Sequence, residues 1–339
     1  MRSYDTQFLN IMKLLMAFFV MVVHFSPFKT IDPLLHFISI HGFTRIAVPF
    51  FILSSGYLIS EHGKISELRL SKTLRKLAKL YVFWTLLYSP LIIAQVVYSP
   101  DTIPWWINLT RNVFFEGSFI HLWYLIATII GLLIVTKLMT LMNMKFVVLV
   151  VLLLFILGVL GDSYYRLSMT VPILSSFKSV LFQFIRTTRN GVFFAPIFLV
   201  GGMLIKQYQP TFKKTTLSIV LVAFIIISLV EILLLRNAGW AKDYNMTFTI
   251  LPLSIITFLL TLHIHVSFDT QRYKEVATTL FYIHIGVYVF IQYVLTSGDV
   301  TKFRNYGFLD FILTLILSLL LTFIIHRFKH IPWVRDYFM

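Results

Sequence analysis

Residues 8–28 read FLNIMKLLMAFFVMVVHFSPF, a stretch in which Lys13 is the only Asp, Glu, Lys or Arg. A helix of that length rises roughly 31 Å at 1.5 Å per residue, enough to cross a hydrocarbon core of about 30 Å. Only helices and closed barrels satisfy their backbone groups in lipid. The apolar residues here are continuous rather than alternating, so the stretch predicts a helix. No small-residue cleavage site follows it, so it is expected to remain as a transmembrane segment.

Nine further apolar runs extend the pattern, near 44–61, 80–99, 119–141, 145–161, 191–206, 215–235, 248–266, 277–296 and 308–326. The second, fifth and sixth of the ten are short for a span. The longest connection, about 162–190, is expected to hold a short re-entrant or interfacial helix. The composition agrees: 58% of residues are hydrophobic and 13% charged, against about 25% charged in soluble domains. The sequence thus predicts an all-α, polytopic transmembrane bundle of about ten spans, organised as one domain over 1–339 with no soluble catalytic domain.

The net charge of +15 sits in short loops between runs, which reads as topology and anionic-lipid contact rather than nucleic-acid binding. Seventeen Lys and Arg fall on one side, from Arg2 and the cluster Lys64, Arg69, Lys72, Arg75, Lys76 and Lys79 onward; eleven fall on the other. The positive-inside rule then puts both termini in the cytoplasm. Trp105 and Trp106 read as an outer interfacial belt. Cysteine is absent, which removes disulfides and thiolate metal sites, and no metal is expected.

Ionisable residues at membrane depth mark candidate function. Lys13 and His24 are eleven residues apart, which places them about 20° apart around the helix and about 16 Å apart along it. The alternative is that Lys13 snorkels and His24 satisfies a carbonyl. Lys76 and Lys79 share a helix face at i, i+3, suited either to an anionic headgroup or to the phosphates of a cytosolic cofactor. His121, with Glu116 just before it, and His284 are candidates for proton transfer; His121 fits an interfacial role equally well. Glu231 and Asp310 either line a polar cavity or cap loops. His263 and His265, at i, i+2, do not face each other as a metal pair would.

Several segments together, in order, resemble the acyltransferase-3 family of membrane proteins, which move acyl groups onto extracytoplasmic sugars and other acceptors. They are Asn10-Ile11-Met12-Lys13 with Val22-Val23-His24, then Val48 to Tyr57, Lys76-x-x-Lys79, His121 to Leu125, Thr188 to Phe194, and Tyr282-Ile283-His284. The resemblance implies a catalytic role for His24, and acyl-CoA contacts for Lys13, Lys76 and Lys79. Lysine stands at three positions where arginine is frequent, and Asn10 stands where aspartate is often found.

On that resemblance the sequence predicts an O-acyltransferase using acetyl-CoA or another acyl-CoA as donor. A hydroxyl of an extracytoplasmic or lipid-linked glycan is the expected acceptor, in a multi-pass protein of the cell membrane. His284 joins His24 as a catalytic candidate, and Arg189, Asn190, His121 and Glu116 are acceptor-binding candidates. The Thr188–Phe194 segment also resembles the membrane half of membrane-bound serine racemases. A transporter for a small polar solute such as an amino acid is therefore the alternative, and binding of coenzyme A separates the two.

Overall fold

The computed structural model describes residues 6–61, 63–97, 104–299 and 303–339. Arg2 and Lys302, both counted for orientation, lie outside the described residues. The chain forms sixteen α-helices among these residues, and one ribbon pairing Ser60–Glu61 with Lys64–Ile65. It divides into two units. The first holds the chain through Phe50, Lys213–Leu229 and everything from Ile256 on; the second holds Phe51–Phe212 and Val230–Ile255.

Among the described residues, seven helical segments are long and apolar enough to cross a membrane. They are α1 (Gln7–Phe25), α2 with α3 (Pro33–His41 and Ala47–Ile59), α7 (Trp123–Leu141), α8 (Met144–Gly161), α12 (Lys214–Ala238), α14 (Gln271–Leu295) and α15 (Phe308–Arg327). The protein is a multi-pass membrane protein. An eighth span exists if α4 (Glu67–Leu87) and α5 (Ser89–Val97), bent by 67°, count as one. Pro90 opens α5; without an N–H it cannot continue the ladder of α4, which accounts for the bend.

The expected count of ten is reached only by adding α11 (Ala195–Tyr208) and α13 (Ile250–Leu262), of 14 and 13 residues. Nine residues of α11 are buried, so this helix packs mainly against protein and needs little lipid-facing length. The short second run at 44–61 gains length because the residues before it, Pro33–His41, are already helical. Asp32 starts that helix by accepting a hydrogen bond from the Leu35 N–H at 2.6 Å.

The 162–190 connection contains two helices, α9 (Tyr165–Met169) and α10 (Pro172–Phe184). Ile173, Phe177, Val180 and Phe184 are exposed along one stripe of α10, while Lys178 is buried and donates to the Tyr165 carbonyl at 2.7 Å. This is the pattern of an interfacial helix. Trp105 and Trp106 begin α6 (Trp105–Arg111), and both are exposed.

In the first unit α1 packs on α14 and α15. Asn10 donates to Thr270 Oγ1 at 3.1 Å, which ties the start of α1 to the start of α14. Asn305 reaches the Phe25 carbonyl at 3.3 Å. Hence α1 and α14 run parallel and α15 runs antiparallel to both.

In the second unit α11 packs on α7 and α8. It also meets α3 at backbone distance, because a Cβ on Gly56 would lie 2.1 Å from the Leu199 carbonyl oxygen, and one on Gly202 would lie 2.1 Å from that of Leu53.

Candidate functional site

The last turn of α1 carries His24, and the middle of α14 carries His284. The two are 260 residues apart in sequence, yet their ring centroids are 5.4 Å apart with planes inclined at 36°. Phe25, Phe281 and Tyr288 flank the pair; Phe25 lies 5.7 Å from His284 and 5.1 Å from Tyr288, and Phe281 lies 6.1 Å from His284. His284 is fully buried. Its Nδ1 lies 2.9 Å from the Leu280 carbonyl. A carbonyl only accepts, so Nδ1 carries the hydrogen and Nε2 is the basic nitrogen of the neutral ring.

Lys13 lies on the same side of α1 as His24. The buried residues Leu9, Ala17 and Val20 fall within about 40° of Lys13 around the helix, so the Lys13–His24 stripe coincides with the packed face. Both side chains are partly buried. Asn10, at the position where an aspartate is often found, joins α1 to the α14 N-cap residue Thr270.

In the second unit, Lys76 and Lys79 are exposed on α4, in company with Lys72 and Arg75. That surface is suited to phosphate groups. His121 sits in the turn before α7 and is 1% exposed. Its ring packs edge-on against Tyr88 at 5.2 Å and Phe119 at 5.9 Å, which gives it an aromatic enclosure in place of a headgroup position.

The same unit brings together Glu116 and Arg189, which line a cavity of about 350 Å³ with Gln95, Asn112, Ser118 and Arg186. Glu116 accepts a short hydrogen bond from the Arg186 N–H and lies 4.0 Å from Arg111 Nε. Burial raises its carboxyl above the ordinary range, against the pull of the Arg186 N–H and of Arg111, Arg186 and Lys242. Arg189 stacks its guanidinium 4.5 Å over the Trp123 ring and donates to Asn245 Oδ1 at 3.0 Å. Burial lowers its pKa, opposed by Asp243, Asp162 and Glu116.

The carboxamide of Asn190, an acceptor-binding candidate, is engaged by the backbone. It donates to the Thr187 carbonyl at 3.0 Å and accepts from the N–H groups of Val192 and Phe193 at 2.9 and 3.2 Å. It shapes the segment that carries Arg189.

The sequence reading missed Arg186, Asp162 and Asn245. Arg186 lines the cavity and donates to Asn108 at 2.7 Å. Asp162, 2% exposed, accepts from the backbone N–H groups of Asn245 and Met246 at 2.8 and 3.0 Å. Burial, reinforced by Asp243, pushes its carboxyl up to about 6. The only sequence signal for these residues was polarity within loops of an apolar chain. Glu231 and Asp310 both hold loops. Glu231 accepts from Tyr164 and from the Phe248 and Thr249 N–H groups at 2.8–3.0 Å, and Asp310 accepts from Gln292 and the Tyr306 N–H.

These features define a multi-pass helical membrane protein with a paired-imidazole centre in one unit and a charged cavity in the other. The chain belongs to the acyltransferase-3 family, whose acyltransferase domain matches residues 6–327. It is similar to an amino-acid racemase of Enterococcus faecalis, 29% identical over 332 residues that cover 95% of this chain and 46% of that protein. A second amino-acid racemase of the same organism is 27% identical over 316 residues, covering 90% and 44%. A serine/alanine racemase of Enterococcus gallinarum is 26% identical over 334 residues, covering 95% and 46%. The chain thus spans about half the length of these curated relatives. No solved structure matches it.

Proposed function

We propose that the protein is a membrane O-acyltransferase that moves an acyl group, acetyl by expectation, from a cytosolic acyl-CoA to a hydroxyl of an extracytoplasmic or lipid-linked glycan. The observation that supports this reading most is the 5.4 Å pairing of His24 with His284 in a chain of this family. In this reading the single domain crosses the membrane ten times, α11 and α13 being short spans, with both termini cytoplasmic.

The acyl-CoA supplies an activated thioester. Lys76 and Lys79 hold its phosphates, and the family resemblance assigns Lys13 to the donor as well; lysine serves as a point charge without the bidentate fork of arginine. His24 acts as general base and takes the proton of the acceptor hydroxyl as its oxygen attacks the thioester carbon. A C–O bond forms, the C–S bond breaks, and the proton leaves on the thiol. General-base catalysis of this kind contributes about 10²–10⁴ in rate. His284 is held in one orientation by Leu280 and steadies the His24 ring. Arg186, Arg189 and Glu116 offer a polar acceptor pocket whose volume, about 350 Å³, falls at the low end of the roughly 300–1,000 Å³ of small-molecule sites.

The test is to incubate proteoliposomes with radiolabelled acetyl-CoA and candidate glycans. Transfer of label to an acceptor hydroxyl supports the reading; no thioester consumption with any acceptor overturns it. The similarity to amino-acid racemases favours a second reading, uptake of a small amino acid. That reading predicts accumulation of labelled serine or alanine in vesicles free of coenzyme A, and no coenzyme A binding.

A further inference from the structure

Helix α15 carries a polar residue at every fourth position, Asp310, Thr314, Ser318, Thr322 and His326, a row that winds about 160° around the helix. The first four are 0–2% exposed. The opposite faces of this helix are lipid-like, with Ile316, Leu319, Leu320, Phe323 and Ile324 exposed. The buried stripe therefore faces the neighbours α14 and α1.

Serine and threonine in membrane helices commonly act as small packing residues and donate to the carbonyl four residues back. Several do so here: Ser55, Thr128, Ser254, Thr261, Thr278 and Thr296 all donate to an i−4 carbonyl at 2.6–3.1 Å. Among the described residues, the hydroxyls of Thr314, Ser318 and Thr322 have no hydrogen-bond partner, and neither does His326 Nε2. Elsewhere such orphan hydroxyls, at Ser54, Ser60 and Thr136, form no comparable row. Three orphans in register call for a common partner, since a buried unsatisfied hydroxyl is costly.

Geometry identifies that partner. Successive hydroxyls are about 6 Å apart along the axis, too far for a direct bond but close to two hydrogen bonds of about 2.8 Å in series. A single water between each pair would bridge that spacing. At its lower end the row reaches His326, which lies 4.0 Å from Glu275. Both line a cavity of about 440 Å³ that also contains Arg272 and Lys329. At its upper end Asp310, held by Gln292 and the Tyr306 N–H, sits in the first turn of α15 next to the exposed Tyr306. Asp310 to His326 spans roughly 24 Å of helix, most of a hydrocarbon core of about 30 Å.

We infer that the Asp310–Thr314–Ser318–Thr322–His326 row holds a single file of water that conducts protons along α15 between the two membrane faces. Each hydroxyl passes its own proton onward as it accepts one from the water behind it. One proton enters at Asp310 and one leaves at His326, or the reverse, and nothing is consumed.

The test uses purified full-length protein in vesicles containing a pH-sensitive dye, under a potassium diffusion potential. No acyl donor is present, so the outcome is independent of the acylation reading. Wild type conducts protons several-fold faster than protein-free vesicles. The near-isosteric Thr314→Val/Ser318→Ala/Thr322→Val variant falls to the protein-free rate while its thermal midpoint holds or rises. Ser318→Ala alone, which removes one hydroxyl, gives the same loss should the triple variant fold poorly. Equal rates in wild type and Ser318→Ala, or a wild-type rate at the protein-free level, overturn the proposal and leave a dry packing seam.

Discussion

Substituting Gly56 with alanine tests the α3–α11 contact directly. The new Cβ would lie 2.1 Å from the Leu199 carbonyl oxygen and 2.8–2.9 Å from two more backbone atoms of Leu199. Ordinary contact begins near 3.4 Å, so the helices must part by roughly 1 Å, and backbone cannot rotate away as a side chain can. Overpacking of this kind costs about 1–3 kcal/mol, offset by up to about 1 kcal/mol of helix propensity gained from glycine to alanine. Gly202→Ala presses on Leu53 and Tyr57 from the other helix at 2.1 and 2.7 Å and carries a similar cost. The double variant costs less than the sum, because one separation of the helices relieves both clashes. Gly201→Ala is the internal control: its Cβ meets the Leu53 side chain at 3.2 Å and Ile255 at 4.0 Å, which leaves stability unchanged or improved. Thermal unfolding in detergent, followed by tryptophan fluorescence, ranks the variants. A Gly56→Ala midpoint equal to wild type, or Gly201→Ala as damaging as Gly56→Ala, refutes the close crossing.

Replacing Glu231 with alanine strands the Phe248 and Thr249 N–H groups and the Tyr164 hydroxyl. At about 1–3 kcal/mol per unsatisfied buried group, this variant loses more stability than any glycine variant in the same melt. Asp162→Asn keeps an oxygen acceptor but removes a titration. The folded carboxyl holds its proton to about pH 6, the free one to 3.8. Between those values the folded state binds more protons, so this group's contribution to stability is full below the lower value and is lost as pH rises through the upper. The variant's melting profile is correspondingly flatter between pH 4 and 6, and an unchanged slope counts against the raised value. Lys76→Ala with Lys79→Ala raises KM for acyl-CoA by about tenfold or more, one charge-assisted contact being worth about 1.5–3 kcal/mol, while kcat holds. A fall in kcat alone removes these lysines from donor binding.

Spans such as α8 and α12 were legible because nothing but lipid and apolar neighbours decides them; a continuous run has one reading. Short α11 was legible as an apolar run, but its 14 residues follow from packing on α3, α7 and α8, which hydropathy does not report. The α4–α5 bend was present in the sequence as Ser89-Pro90, inside the apolar run at 80–99. The eleven-residue spacing gave the shared face of Lys13 and His24, because helical periodicity is local. His284 stood out as an ionisable residue at membrane depth and as part of Tyr282-Ile283-His284; its contact with His24 joins positions 260 residues apart and is a fact of tertiary packing. The charged cavity was the least legible. Asp162 and Asn245 meet across 83 residues through loops with no periodicity to read.

The base role of His24 is tested most directly by single-turnover thioester cleavage with purified wild-type and His24→Ala protein, each at saturating acyl-CoA and acceptor. A loss of about 10²–10⁴ in rate, with acyl-CoA affinity unchanged, is the predicted result. Cleavage by His24→Ala at the wild-type rate would contradict the account.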